Sequence, residues 1–590
     1  MSLLSTPLRD DVLGPGWREV RSALLVVSAF LAGVTPAVGQ EQRAERDSAT
    51  LLACAGQRIT TVEFLRQPPP LAGARVPAVI RPVMRALLQH RQTRPQAIEP
   101  FMLLGEGDAC AIDRLAESER LLRVQPYLAD ATIRATSDGA GGTQLQVETV
   151  DEIPVIVGGG IRDGSISKVT FGNGNVLGYG ALALATWREG FAYRDGFGVS
   201  LAHYHLVGRA TAEVTLMRGT FEEEYGASLS RPWLTDVQHT AWHVGAERRE
   251  GYVRYLRPDE PALSLPLDRD YLDAGALLRL GGSALRLMGG VVASYEQVDP
   301  GSRGVVIADT GFAADPDTVL VDRFGSWKDA RVGAVLGGRW LAYREMIGLD
   351  SLTGRQDVAT GVQMALTAGH GLSSGRRDPF GALDFYAALG SGSTLLAVHA
   401  IAEARFVSSR DWDDVVASGH IVWSQKPSVR RMRVVRAEFS GEWDATMPLQ
   451  LTISDRLGGI RGYRGADEAG ARRALLRVEE RLAMGGIGRL AGFGLAGFAD
   501  VGKLWAGDAP FGESTGLRPS VGAGVMVAVP RRSQRLYRLD VAVPLIRDAP
   551  TKSWSVRLSA MAPYQAFWRE PGDVRRMRAG LPAADLLAWR

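Results

Sequence analysis

Cysteine is nearly absent from this sequence: Cys54 and Cys110 are the only two in 590 residues. A single pair cannot make a disulfide-rich scaffold. Long apolar runs are missing after the first forty residues, which excludes a bundle of membrane-spanning helices. Charge of one sign is missing too. A net charge of +3 is too small to argue for a nucleic-acid partner. No phosphate-binding Walker loop, dinucleotide fingerprint or zinc-protease helix occurs, and no internal repeat is evident.

The first apolar run has a recognisable order. Arg18 and Arg21 precede the stretch from Ser22 to Val34, and Ala37 and Gly39 follow it. Positive, then apolar, then small is the order of a secretory signal peptide. The run is shorter than the roughly 18 residues a membrane anchor needs, so 1–39 is read as a signal peptide cleaved after Gly39. Cys54 follows Leu51, Leu52 and Ala53, which mimics a lipoprotein cleavage box. The polar stretch from Gln40 to Ser48 separates it from the apolar run and argues against lipidation. An exported chain without later membrane helices is either a soluble multidomain protein or a β-barrel.

Residues 40–56 read as a short linker, and 57–152 as a small mixed domain. Arg58 to Phe64 alternates like a strand, and Val76 to His90 has helical spacing interrupted by Pro82. Asp113 to Leu122 reads as a second helix. Ala129–Thr136 and Gln144–Val150 flank a glycine-rich turn and form a hairpin. The order is strand, helix, helix, strand, strand. From 153 to 562 apolar and polar residues alternate in many short segments: Thr211–Leu216, Val435–Ser440, Leu476–Leu482, Arg538–Val543 and Trp554–Ala560. A soluble sandwich also alternates, but the number of segments and the charges on their polar faces favour a lumen. The run-and-turn rule gives about 16 to 20 candidate strands, of which about 16 are expected to form the barrel, with loops at Asp259–Asp268, Asp299–Asp329 and Gly507–Gly516. Residues 563–590 form a C-terminal tail, read as a short amphipathic helix or an unstructured end.

The sharpest local feature is Gly458, Gly459, Ile460, Arg461, Gly462, Tyr463, Arg464 and Gly465, in a loop of about 449–471. Downstream come Glu479, Glu480 and Arg481, then Phe498, Asp500 and Gly502, then Arg538 and Asp540. In that order they resemble the C-terminal half of the outer-membrane-assembly and surface-antigen superfamily, which includes the BamA and TamA insertases and two-partner secretion pores. Its [VI]-R-G-[FY] loop motif matches Ile460, Arg461, Gly462 and Tyr463. Its F-x-D-x-G strand motif matches Phe498, Asp500 and Gly502. The stretch Asn175–Gly180 looks like its early-strand pattern, and 57–152 resembles one POTRA domain. No motif matches in about 220–420.

The resemblance implies a transmembrane antiparallel barrel after a periplasmic βααββ domain, in the bacterial outer membrane. It also implies a lumenal loop whose Arg461 contacts Asp500, with Glu479 a second candidate acid. Strand parity agrees, because Phe498, Asp500 and Gly502 share one face while Ala499 and Val501 suit lipid. Bracing a plug and gating a pore are equally open roles for the pair. Export permits a Cys54–Cys110 disulfide, and two separate buried thiols are the alternative. The resemblance departs from the family in having one POTRA-like domain and a tail after the last strand. Trp554 to Ala560, or the region through Phe567 and Trp568, would then serve as an internal assembly signal.

Gly371, Ser373 and Gly375 match a nucleophile elbow in form, but Arg376 to Phe380 does not begin a helix. His203 with His205, and His239 with His243, lack the further ligand a metal site needs. No catalytic residue, metal or cofactor is therefore expected. The implied function is insertion or translocation of client polypeptides, in contact with outer-membrane lipid, unfolded outer-membrane or secreted clients and periplasmic or lipoprotein accessory proteins. A passive pore or surface antigen with a structural plug loop is the rival.

Overall fold

The computed structural model describes residues 48–68, 92–162, 165–189, 195–280, 286–308, 311–408, 411–447, 450–454, 458–464, 466–547, 553–561, 574 and 586. The expected signal peptide, the helix expected at Val76–His90, most of the expected linker and nearly all of the tail lie outside the described residues.

After a short helix α1 (Ser48–Ala53) come β1 (Ala55–Gln67), β2 (Ala109–Ala111), α2 (Ile112–Arg123), β3 (Leu128–Ser137) and β4 (Thr143–Asp151). The four strands pair in the order β2-β1-β4-β3. β1 runs parallel to β4, and β3 and β4 form an antiparallel hairpin. The hairpin turn closes because the Asp138 carboxylate accepts the backbone N–H groups of Ala140 and Gly142, each at 2.8 Å. Gly139 and Gly141 there have positive φ (79° and 90°), which glycine adopts without a Cβ clash. The helix α2 buries Leu115, Leu121 and Leu122 in one core with Ile133, Leu145 and Val147. Cys54 and Cys110 are joined by a disulfide across the start of this unit, closing 56 residues of sequence.

Twenty-two strands then close into an antiparallel barrel. Two of them, Val305–Ala308 and Gly311–Ala314, form a hairpin standing beyond the wall, because the strands on either side of it pair directly with each other. Among the described residues the wall therefore has twenty strands, and the expectation of about 16 is corrected. The shortfall came from long strands joined by tight turns, of which Glu260–Leu280 and Trp327–Ile347 are 21 residues each. The loop expected at Asp259–Asp268 is corrected for the same reason. Only a turn at Asp259 interrupts the chain, and the strand resumes at Glu260. Pro266 is tolerated because its backbone faces the side where the ladder with Leu287–Pro300 ends, at Leu267. Its carbonyl accepts from Gly301 on that side, where its missing N–H breaks no ladder bond.

Parity separates two faces. Val291 and Leu336 are 62% and 58% exposed, while their neighbours Val292 and Val335 are 3% exposed and point inward. The outer face is a belt of leucine and valine, and the inner face carries the charges, the pattern of a membrane-spanning barrel. No described helix is long and apolar enough to cross a membrane; the crossing elements are strands.

The small sheet sits at the end of the barrel that carries the turns at 174–180, 348–354 and 529–535. Arg123 of α2 forms a fork on Asp357, with Nε and Nη2 each 2.7 Å from a carboxylate oxygen. Arg355 donates to Asp130 at 2.7 Å, and the Gln534 amide donates to the Arg123 carbonyl at 3.0 Å. Arg123 and Asp357 are both buried, so removing one alone costs on the order of 3–5 kcal/mol. These contacts fix the unit to the mouth. They also occupy the outward edge of β3, because Ile133 N–H donates to Glu119 and the Ala131 carbonyl accepts from Arg123 and Arg355.

Candidate functional site: the lumenal loop and its docking wall

The chain between strands Arg431–Trp443 and Arg472–Ile487 folds into the lumen. Its base is the two-residue ladder Leu451–Thr452 with Ala469–Gly470. Its tip carries Gly458 to Arg464. Ile460, Tyr463, Leu451 and Ile453 share a buried cluster with Leu475 and Leu504 of the wall. The turn at the tip needs glycine: Gly462 has φ 99°, and a Cβ there would lie 3.2 Å from the Pro544 backbone.

Arg461 is the centre. Its Nε and Nη2 donate to the two oxygens of Asp500, each at 2.7 Å, and Nη1 donates to Glu479 at 2.8 Å. Its guanidinium carbon lies 3.5 Å from the centre of the Phe498 ring, a stacked geometry that suits arginine. Asp500 and Glu479 come from adjacent strands paired Arg477↔Asp500 and Glu479↔Phe498, so the guanidinium spans a diagonal of the wall. The third residue of the strand motif has a steric task. A Cβ on Gly502 would lie 2.5 Å from Ile460 Cδ1, so Gly502 leaves the space that Ile460 fills. Gly522 on the next strand does the same for the Phe498 ring, which a Cβ would approach to 2.3 Å.

The structure thus brings together Ile460, Arg461, Gly462, Tyr463, Glu479, Phe498, Asp500 and Gly502. Sequence reasoning left two others outside the site. Arg538 forks onto Glu479 at 2.7 and 2.8 Å and also donates to Asp540 at 2.6 Å. Arg481 donates to Glu479 at 2.5 Å. Arginines 461, 481 and 538 face Glu479, Asp500 and Asp540, so the cluster is balanced in formal charge. The alternation of Arg538 and Asp540 with Leu539 and Val541 was the signal, since it places both charges on the lumenal face. Further contacts hold the loop backbone: Arg477 Nη2 donates to the Gly458 and Gly459 carbonyls, and Tyr463 Oη donates to the Pro519 carbonyl at 2.9 Å.

One contact reaches the seam between the first and last wall strands, Val155–Arg162 and Ser555–Met561. As described these are the two shortest strands of the wall, at 8 and 7 residues, and the first contains Gly158, Gly159 and Gly160, which weaken a ladder. Arg464, three residues past Arg461, donates to the Val556 carbonyl at 2.7 Å. Leu545 N–H bonds Pro519, so residues 545, 543 and 541 turn their backbone groups toward strand Arg518–Ala528. Val541 pairs with Val556, and alternation then turns the Val556 carbonyl away from its ladder partner, toward the seam. The loop thereby holds a carbonyl on the seam edge.

The remaining sequence features fall elsewhere. Asn175–Gly180 forms a turn rather than a strand. Asn175 bonds Thr93 at 2.8 Å and the Arg94 guanidinium lies 3.9 Å from the centre of the Tyr179 ring, so this turn meets the small domain. Gly371 to Gly375 is the loop between strands Arg355–Gly371 and Pro379–Ser391, with no helix after Ser373. His203 and His205 have ring centres 4.6 Å apart, and His243 contacts Asp273 at 2.9 Å. No group of three metal-ligating side chains occurs among the described residues.

No protein-family model matches the chain, and no curated protein matches it in sequence. Solved structures similar in outline include BamA from Haemophilus ducreyi lacking POTRA domains 1–3, at 10% identity. That match covers 85% of this chain and 84% of that one, with a TM-score of 0.36. CdiB from Escherichia coli is 11% identical, covering 93% and 99%, with a TM-score of 0.38. CdiB from Acinetobacter baumannii is 10% identical, covering 86% and 74%, with a TM-score of 0.35. The functional reading rests on the chain's own residues.

Proposed function

We propose that this protein is an outer-membrane insertase or protein translocase, anchored by its barrel, with the N-terminal domain on the periplasmic side as a POTRA-like client receiver. The observation that carries the reading is the joint docking of one loop on two places. Arg461 is held by the wall acids, and Arg464 holds the seam edge. In lipid, backbone groups of an opened seam must find partners, and a client strand can supply them by adding to the exposed edge. A loop that ties up a seam carbonyl when docked, and frees it when withdrawn, suits a barrel that opens sideways or clears its lumen for a polypeptide. A plug that only blocked the pore would need no contact with the seam. The work involves no bond chemistry and calls for no cofactor. Client addition on the small domain would use an edge other than the occupied part of β3, or would first release it.

Depletion of the protein followed by a census of outer-membrane and secreted proteins tests this. Loss of particular barrels supports insertion, and loss of a particular secreted protein supports export. An unchanged census would leave the passive pore as the answer.

A further inference from the structure

Two residues of the C-terminal tail, Val574 and Leu586, are fully buried at 0% exposure, although the last wall strand ends at Met561. Their neighbours say where. Leu586 clusters with Ala241, Leu277, Met288, Val292, Val335 and Ala365. Those six residues share one face of four ladder pairings: Ala241 opposes Leu277, Leu277 opposes Gly290, Gly290 opposes Val335, and Ala365 opposes Gly337. The opposite face of the same strands carries the exposed Leu278, Val291, Leu336 and Leu366, which is the lipid face. Leu586 is therefore inside the lumen. Val574 packs with Ile460, Tyr463 and Leu451 of the docked loop and with Val416, Leu475 and Leu504 of the wall, and it too is inside.

We infer that Val574 and Leu586, which follow the last wall strand in sequence, are a second set of plug contacts inside the barrel, seated at two levels. The lower seat is specific as well as apolar. Trp233 N–H donates to the Leu586 carbonyl at 2.9 Å, while the Trp233 carbonyl accepts from Arg339 at 2.6 Å. The next carbonyl, Leu234, accepts from Arg120 of α2, whose guanidinium lies 3.9 Å from the centre of the Tyr343 ring. Tail, turn and domain helix therefore stack across the domain end of the lumen. The upper seat touches the loop tip itself, so Val574 supports the docked state of Ile460 and Tyr463. Opening the lumen requires these two residues to leave their seats. The inference stands on packing alone and does not depend on what the barrel handles.

The native cysteines are bonded to each other, so Leu586→Cys carries one free thiol. In folded, detergent-extracted protein a charged maleimide should label it more than an order of magnitude more slowly than Val429→Cys, at a turn residue 86% exposed. Heat-unfolded protein should label at both sites alike. Equal labelling rates in the folded state would overturn the inference. Val574→Cys gives an independent reading of the upper seat, because Val574 is also fully buried; it should label as slowly as Leu586→Cys, and fast labelling there in an intact barrel would refute that seat.

Discussion

Replacing Arg461 by alanine has an uneven effect that the geometry sets. Glu479 keeps two arginines, Arg481 and Arg538, whereas Asp500, 3% exposed, loses both bonds of the fork. Leaving a buried charge without its partner costs on the order of 3–5 kcal/mol, and here Asp500 bears most of it. Asp500→Ala is milder, because Arg461 retains Glu479 and the Phe498 ring. The double variant removes both members of the fork, so it should be no less stable than Arg461→Ala. The coupling energy should fall at about 1–3 kcal/mol, in the range for residues in direct contact. The assay is the temperature at which the compact band of unheated protein converts to the unfolded band on gels, with urea titration for the energies. Losses that simply add in the double variant would show that the two residues act separately, and the docking account would fail.

Other expectations follow from single contacts. Gly502→Ala pushes a methyl into Ile460 and should cost about 1–3 kcal/mol. Ile460→Ala in the same chain should restore part of that loss in the urea titration, and no restoration would mean that Gly502 serves something else. Cys54→Ser should destabilise the small domain by about 4 kcal/mol in the loop-closure account, and unreduced mass spectrometry of the parent chain should show no free thiol. Burial lifts the Glu152 carboxyl above the usual carboxylate range, against the pull of Arg535 and the Ser533 hydroxyl. The folded state therefore holds that proton more tightly than the unfolded chain. The group's contribution is most favourable at low pH and is lost as pH rises from the ordinary glutamate range through the raised value. Glu152→Gln should remove that slope from the stability profile measured between pH 4 and 8 (roughly the window for a raised carboxyl), and an unchanged slope would sink the assignment.

Much of the barrel was legible because period-two alternation is a direct imprint of a wall with lipid on one side and charge on the other. Leu476–Leu482 and Arg538–Val543 lie on strands Arg472–Ile487 and Leu536–Pro544. The strand number was not legible, since turns as short as that at Gly392 leave little trace between long strands, and prolines such as Pro266 mimic loops where a ladder ends on one side only. Glu479, Phe498 and Asp500 were visible by parity. Arg538 required knowing that it and Glu479, 59 residues apart in sequence, curve around the same loop. The Val556 contact was invisible, because a backbone carbonyl has no sequence signature. Val574 and Leu586 were equally hidden, since amphipathic spacing does not say what its apolar residues meet.

Hydrogen exchange along the seam tests the central claim, that the loop governs the seam, most directly. Backbone amides of Ser555–Met561 and Val155–Arg162 should exchange faster in Arg464→Ala, and faster again in Arg461→Ala, which undocks the whole tip. Amides of Ala210–Gly219, whose wall neighbours are Asp195–Val207 and Glu222–Arg231 rather than the seam strands, should keep their rates in both variants. Seam amides that exchange at the same rate in all three proteins would contradict the account, leaving the loop as a plug without influence on the wall.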